Sequence, residues 1–398
     1  MHAPARVSRL RVLGGVGEVS RDAWDRLVGP GSPFVEWSWL ATLEDSGAAV
    51  AARGWRPYHL TLWDGDRLAG ACPAYVKSHS DGEFVFDHGW AAGAARAGIA
   101  YYPKLLVAAP FTPVTGERFL SCDAERAGVA DELAAALEET CRRERWSSVH
   151  VNFCGAEEAE ALARRGWLRR TGYQYHWTNP GFGSFDDYLA SLRSKRRNQV
   201  RRERRELAAQ GVEITAHAGN DIPDALFPRM FELYRRTIAE LPWGRQYLDR
   251  RFFTLARDRL RHRVCFVVAR QAGEVIAGTF NVEKGDTLYG RYWGALRSLR
   301  HLHFNVCYYA AIEYAIARGL ARFEPGAGGD FKHLRGFDAR PTQSMHFIRN
   351  PRLRAAVAEF LAHERPAVAR EIEWLDERTA LRRGGTEIGP EGRCKPRS

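Results

Sequence analysis

One hairpin pattern occurs twice in this chain, and an internal repeat restricts the fold more tightly than composition does. Residues 58–76, YHLTLWDGDRLAGACPAYV, alternate apolar and polar residues around a tight turn at Asp64-Gly65, which is the period of a strand pair. Residues 264–293, VCFVVARQAGEVIAGTFNVEKGDTLYGRYW, read the same way, with EVIAG where the first copy has DRLAG. Apolar residues at helical spacing precede each hairpin, over 20–28 and 36–46 and again over 224–240 and 247–261. Each hairpin is followed by a helix and a strand: AERAGVADELAAALEETCRRERW leads into SSVHVNF, and FNVCYYAAIEYAIARGL into ARFEPG. The repeated order predicts an α+β protein of two tandem units, each a mixed, mostly antiparallel sheet flanked by helices.

A chain of 398 residues is long enough to bury two cores. The expected boundary lies at TNPGFGSFDD, which divides the chain into units 1–180 and 181–380, with Ser184 capping one long helix over 185–209. The Gly/Pro-rich tail 381–398 is expected to be disordered. Hydrophobic residues at 45% and aromatics at 12% exclude a disordered or fibrous chain. A net charge of +11 favours acidic partners without naming one. The seven cysteines form no CxxC pair and no ladder of short spacings, so neither a disulfide framework nor a metal site is implied, and a reducing compartment is expected. No export signal and no uncharged apolar run of membrane-spanning length is visible, and the expected location is cytoplasmic.

Such a unit resembles the GNAT acyltransferase fold, and two in tandem resemble the Fem (FemABX) peptidoglycan-bridge transferases. The strings DHGWAAGAARAGIAYYPKLLVAAPFTPVTGERFL (87–120), LPWGRQYL (241–248), YWG (292–294) and FEPGAGGDFKHLRGFDARPTQSMHFI (323–348) resemble the bacterial FemAB-like family of N-acyltransferases, described as peptidoglycan biosynthesis or recognition proteins. The resemblance spans residues 30–375. It implies transfer of an acyl or aminoacyl group from an activated donor to an amine, in or near cell-envelope metabolism. Acetyl-CoA-dependent GNAT enzymes carry a Gly-rich turn whose backbone amides hold a pyrophosphate. The corresponding places here read LRSLRHLHFN and PFTPVTGERF, with no glycine pair, although Arg297, Arg300 and His301 offer cationic contacts. Fem enzymes take the acyl group from an aminoacyl-tRNA, so aminoacyl-tRNA and acyl-CoA both stand as donor classes, with no tightly bound cofactor expected. Two rival readings are a small-molecule N-acetyltransferase using acetyl-CoA and a non-catalytic protein that binds peptidoglycan precursors.

An amine attacks an acyl group only when neutral, so a general base and oxyanion donors are sought at the cleft where the central strands part. In the second unit those strands would be TLYGRYWG and ARFEPG, whose cleft ends carry Arg291, Trp293 and Glu324. Glu324 is the candidate base, its carboxyl raised by burial beside Trp293; the alternative is a structural pair with Arg291 or Arg335. The loop GAGGDFKHLRGF (326–337) offers Lys332 and Arg335 as anion holders and His333 as a second acid/base candidate, against a plain Gly-rich connector. Trp243 and Tyr247 either line an acceptor site or pack between helices. In the first unit, Asp87, His88, Tyr101, Tyr102 and Lys104 are placed around a cleft suited to a sugar or peptide, or pack the interface; no third ligand suggests metal.

The run RSKRRNQVRRERRE (193–206) is the densest basic stretch. Leu189, Leu192, Val200 and Leu207 give its helix a narrow apolar stripe, so most of the arginines face water. Such a face suits phosphates of tRNA, of a lipid-linked precursor or of an anionic membrane surface, or it is simply solvated. It holds no aromatic residue, and sequence-specific nucleic-acid recognition is not indicated.

Overall fold

The computed structural model describes residues 9–122, 125–240, 244–329 and 331–382, and places both hairpins where the sequence does. In the first half, β1 (Arg9–Leu13) is followed by α1 (Arg21–Val28) and α2 (Trp37–Asp45), then by β2 (Trp55–Pro57), β3 (His59–Asp64), β4 (Arg67–Cys72) and β5 (Ala74–Lys77). After α3 (His88–Arg96) come β6 (Lys104–Val107), β7 (Leu120–Ser121), α4 (Arg126–Arg143), β8 (Ser148–Cys154), α5 (Ala156–Arg164) and β9 (Leu168–Thr178). The second half begins with α6 (Phe185–Ser191) and α7 (Ser194–Ala208), then repeats the order: β10 (Val212–Ala218), α8 (Leu226–Glu240), α9 (Arg250–Arg259), β11 (Val264–Gln271), β12 (Glu274–Lys284) and β13 (Thr287–Ala295). It continues through α10 (Leu302–Phe304), a π-helical turn over Asn305–Tyr309, α11 (Ala310–Ala317), β14 (Arg322–Glu324), β15 (Asp338–Ile348) and α12 (Pro351–Glu377).

Ser184 caps α6 as expected, accepting from the Asp187 amide at 3.2 Å while Asp187 accepts from the Ser184 amide at 2.9 Å. The single long helix expected over 185–209 is instead two, α6 and α7. The break is held by residues 380–382: the Arg193 amide donates to the Ala380 carbonyl and the Arg382 amide to that of Ser191. These tertiary hydrogen bonds replace helical ones, which local spacing does not reveal. Trp243 and residues 383–398, including most of the tail, lie outside the described residues.

Two sheets form. In the first half, Tyr58 and Pro73 interrupt the hairpin strands, so that β3 and β4 join β1 and β7 in a four-stranded sheet while β2 and β5 enter the large one. Proline lacks the ladder donor, which suits such a corner. The large sheet has eleven strands in the order β10-β11-β12-β13-β14-β9-β15-β8-β6-β5-β2. Its centre is an exchange. β9 follows β8 in sequence yet pairs with β14 of the other half (Phe323↔Trp177), and β15 follows β14 yet pairs with β8 (Phe347↔Val149). The two exchanged strands also pair with each other from Asp338↔His176 to His346↔Leu168.

The largest core also crosses the halves. Trp39 of α2 meets Phe252 of α9 with ring centroids 5.7 Å apart, and Phe34 meets Tyr289 of β13 at 5.3 Å. Glu36 bridges to Arg263 and Lys284, each at 2.8 Å. Helix α8 lies tightly against β13 at Gly294, where a Cβ would stand 2.1 Å from the Leu233 carbonyl carbon and oxygen. Among the described residues, no helix is long and apolar enough to cross a membrane.

Candidate functional site

β13 and β14 run parallel and pair over only three positions, Thr287↔Arg322, Leu288↔Phe323 and Tyr289↔Glu324. Past Glu324 the chain leaves through Pro325-Gly326 while β13 runs on to Ala295. A β-bulge decides what β13 presents there. Phe280 pairs with Tyr292 but Asn281 pairs with Gly290, leaving Arg291 as the extra residue, and a bulge re-aims the side chains around it. Tyr289 and Tyr292 consequently pack on the same core, although plain alternation would separate them. Trp293 goes to another core with Leu207, Val212 and Val306, its ring 5.1 Å from that of His303. The expected pairing of Trp293 with Glu324 is therefore corrected, because the bulge shifts the phase of the strand.

The gap gathers four titratable groups. Glu324 is largely buried, and burial raises its carboxyl above the usual range against the opposing pull of Arg291 and Arg322. His176, delivered by the exchanged strand β9, places Nε2 3.9 Å from Glu324 Oε2. Burial, with Arg340, Arg322, Arg291 and Lys332 around it, holds this imidazole down to about 4, so it is neutral near pH 7. Lys332 is buried, and its Nζ donates to the Gly326 carbonyl at 2.6 Å. Its amine is pushed down to about 7, mainly by burial, with Arg291 adding to the effect. The Arg291 guanidinium lies 4.3 Å over the Phe34 ring and 5.3 Å from that of Tyr289, and Nη1 donates to the Gly290 carbonyl at 2.7 Å. Gly326 (φ +86°) runs so close to β13 that a Cβ would sit 2.9 Å from the Gly290 carbonyl oxygen. The loop residue here must be glycine.

The matching gap of the first half is filled. β6 and β8 pair in parallel over Leu105↔Val149, Leu106↔His150 and Val107↔Val151. The buried guanidinium of Arg118 then donates across to the carbonyls of Asn152 (2.9 Å), Gly116 (3.0 Å), Glu117 (3.1 Å) and Val114.

Other residues singled out from the sequence fall elsewhere. Arg335 does not face a ligand. Its buried guanidinium is spent on Glu203 of α7 (3.1 Å), Tyr309 OH (2.8 Å) and the Phe331 carbonyl (3.1 Å), with Phe304 under it at 3.5 Å. A buried Glu inside a basic run requires such a partner. The His333 ring lies 6.4 Å from that of Trp374 on α12. Asp87, Tyr101 and Lys104 are brought together, but as a buried knot rather than a cleft rim. Lys104 Nζ reaches Asp87 (2.5 Å), Glu83 (2.8 Å) and Ser80 (2.8 Å), and Tyr101 donates to Asp87 at 2.6 Å. Tyr102 joins through Ser80 at 2.8 Å, whereas His88 is exposed at the start of α3. Tyr247 stacks on Phe111, centroids 5.0 Å apart, in the wall of a cavity of about 310 Å³ between the halves. Arg297 pairs with Glu274 at 2.8 Å, and Arg300 and His301 with Glu206 at 3.4 and 2.9 Å, so the cations near LRSLRHLHFN already have partners.

A larger cleft of about 450 Å³ opens over the exchanged strands. Its walls include Phe84 and Phe86 of the first half, Tyr173 and Tyr175 of β9, and Ala327 and Gly328 just past Glu324. Phe84 and Phe153, another wall residue, hold positive φ of 58° and 54°. Such backbone costs energy and persists where the surroundings impose it. The sequence offered no sign of His176 or Phe34 at the site, since each arrives from the other half.

The FemAB-like family, described as peptidoglycan biosynthesis/recognition, matches residues 15–383. Among solved structures, FemX is similar at 12% identity, covering 85% of this chain and 98% of that one with a TM-score of 0.53. L-PGS from Bacillus licheniformis is similar at 9% identity over 81% of this chain and 94% of that one, with a TM-score of 0.50. A sequence comparison with curated proteins finds no match. The likeness to these structures is one of fold, and it agrees with the repeated order of elements: an α+β chain of tandem GNAT-like units.

Proposed function

The chain belongs to the FemAB-like family of peptidoglycan biosynthesis/recognition proteins, and from that premise we propose that it is an N-acyltransferase whose chemistry takes place where β13 and β14 part. The observation that carries this reading is the parting of β13 and β14 after three paired positions, with the buried Glu324 at its edge, where the Arg118 guanidinium bridges the corresponding strand ends of the first half. In the transfer, the acceptor amine attacks the acyl carbonyl while Glu324 takes its proton; the tetrahedral oxyanion then collapses, the bond to the donor's carrier breaks, and the carrier leaves with the proton that Glu324 returns to it. A carboxylate raised by burial is a better base than a solvated one. The donor is an aminoacyl-tRNA or an acyl-CoA, and the acceptor an amine of an envelope precursor, reached through the cleft that begins at Ala327.

The test offers the purified protein charged tRNA or acyl-CoA with a cell extract and follows acyl-group mass shifts. Glu324→Gln is expected to lower turnover by about ten- to a hundredfold while leaving the unfolding midpoint unchanged. Glu324 acts only when ionised, so the wild-type rate should rise with pH through its raised range, above the ordinary 4.5, and the variant should lose that limb. Equal turnover in the two proteins removes Glu324 from the role.

A further inference from the structure

The bulge at Arg291 leaves one edge of its guanidinium unused. Nε and Nη2 are both buried and, among the described residues, neither has a hydrogen-bond partner. Only Nη1 is occupied, by the carbonyl of Gly290. The hydroxyl of the next residue, Tyr292, is likewise buried without a partner among the described residues, and the charge of Arg291 acts on that phenol. Buried donors without acceptors are costly, and more so when charged, so three in adjacent residues require an explanation. The aromatic faces of Phe34 and Tyr289 hold the guanidinium in place but accept no N–H bond in its plane. Glu324 acts on Arg291 electrostatically without forming an ion pair with it among the described contacts.

Nε and Nη2 lie on one edge of the planar guanidinium, and their N–H bonds along that edge point the same way. That edge matches two oxygens of one anion, as a carboxylate or a phosphate presents them, and fits a single carbonyl oxygen poorly. We propose that Arg291, wedged against the first half's Phe34, is a receptor for a two-oxygen anionic group of the substrate, which it grips through Nε and Nη2. This deepens the acyl-transfer reading by naming what the gap holds. The charge of Arg291 acts in turn on the buried amine of Lys332 in the same gap.

The test is binding rather than turnover. The full chain is heated in the presence of rising sodium phosphate or sodium acetate, with sodium chloride at matched ionic strength as reference. The expected result is a saturable rise of the unfolding temperature with at least one of the two anions. Saturation by phosphate alone assigns a phosphate-type ligand, and saturation by acetate alone a carboxylate. Arg291→Met should unfold no earlier than wild type without anion, since it removes a buried unpaired cation, and should lose the saturable rise. Arg291→Lys keeps the charge but not the fork, and its half-saturating concentration should be at least about tenfold higher. No saturable response above chloride in wild type overturns the proposal, as does a response of equal size in Arg291→Met, which would be the general salting effect of the anion. An anion response without any acyl transfer would leave this receptor standing and count against the catalytic reading.

Discussion

Lys104 is a fully buried ammonium with two carboxylates, Asp87 and Glu83, within 2.8 Å. Replacing it with Met strands both, and the expected cost is about 3–5 kcal/mol in urea unfolding. Glu83→Gln should cost much less near neutrality, because burial already pushes the Glu83 carboxyl up to about 7. The sign follows from that raised value: the native state favours the protonated form, and this contribution is full below 4.5 and lost as pH rises through 7. The stability of Glu83→Gln relative to wild type should therefore improve between pH 5 and pH 8; a difference that stays constant would show that Glu83 does not titrate there. Glu324, Lys332 and Asp87 stand out in the sequence because their types and neighbours are unusual. Their surroundings do not. Residue type does not say whether Lys104 rims a cleft or lies beneath one, nor that Arg335 already has Glu203.

At the scale of elements, hairpins, helices and their order followed from periodicity and caps, whereas one bulge in β13 moved Trp293 away from Glu324. A bulge adds one residue without disturbing apolar spacing on either side, so the pattern around it still reads as a continuous strand. The basic helix α7 behaves as its narrow apolar stripe predicts. Val200, Glu203 and Leu207 are buried, while Lys195, Arg201, Arg202 and Arg205 face solvent. The close approach of α8 to β13 rests on the missing side chain of Gly294. Gly294→Ala forces the helix backbone outward and should cost about 1–3 kcal/mol. A variant within 0.5 kcal/mol of wild type in denaturant titration would mean that α8 moves freely.

At the scale of the molecule, the repeat told how many units to expect but not that they trade their closing strands, since pairing partners far apart in sequence leave no local trace. Chains 9–180 and 181–382, made separately, each lose the strand that covers β8 or β14 and part of the core that Phe34, Trp39, Phe252 and Tyr289 share. Neither is expected to unfold cooperatively alone, while the two together should restore one transition. A sharp thermal transition in either isolated half would refute this mutual dependence.

The crossing of β9 and β15 also fixes an order of events during synthesis. The edge of β8, residues 148–154, waits for residues 338–348 to leave the ribosome before it is covered, and an open strand edge invites wrong neighbours in the meantime. The geometry is that of a domain-swapped pair whose two members share a single backbone, a clasp that dilution does not undo.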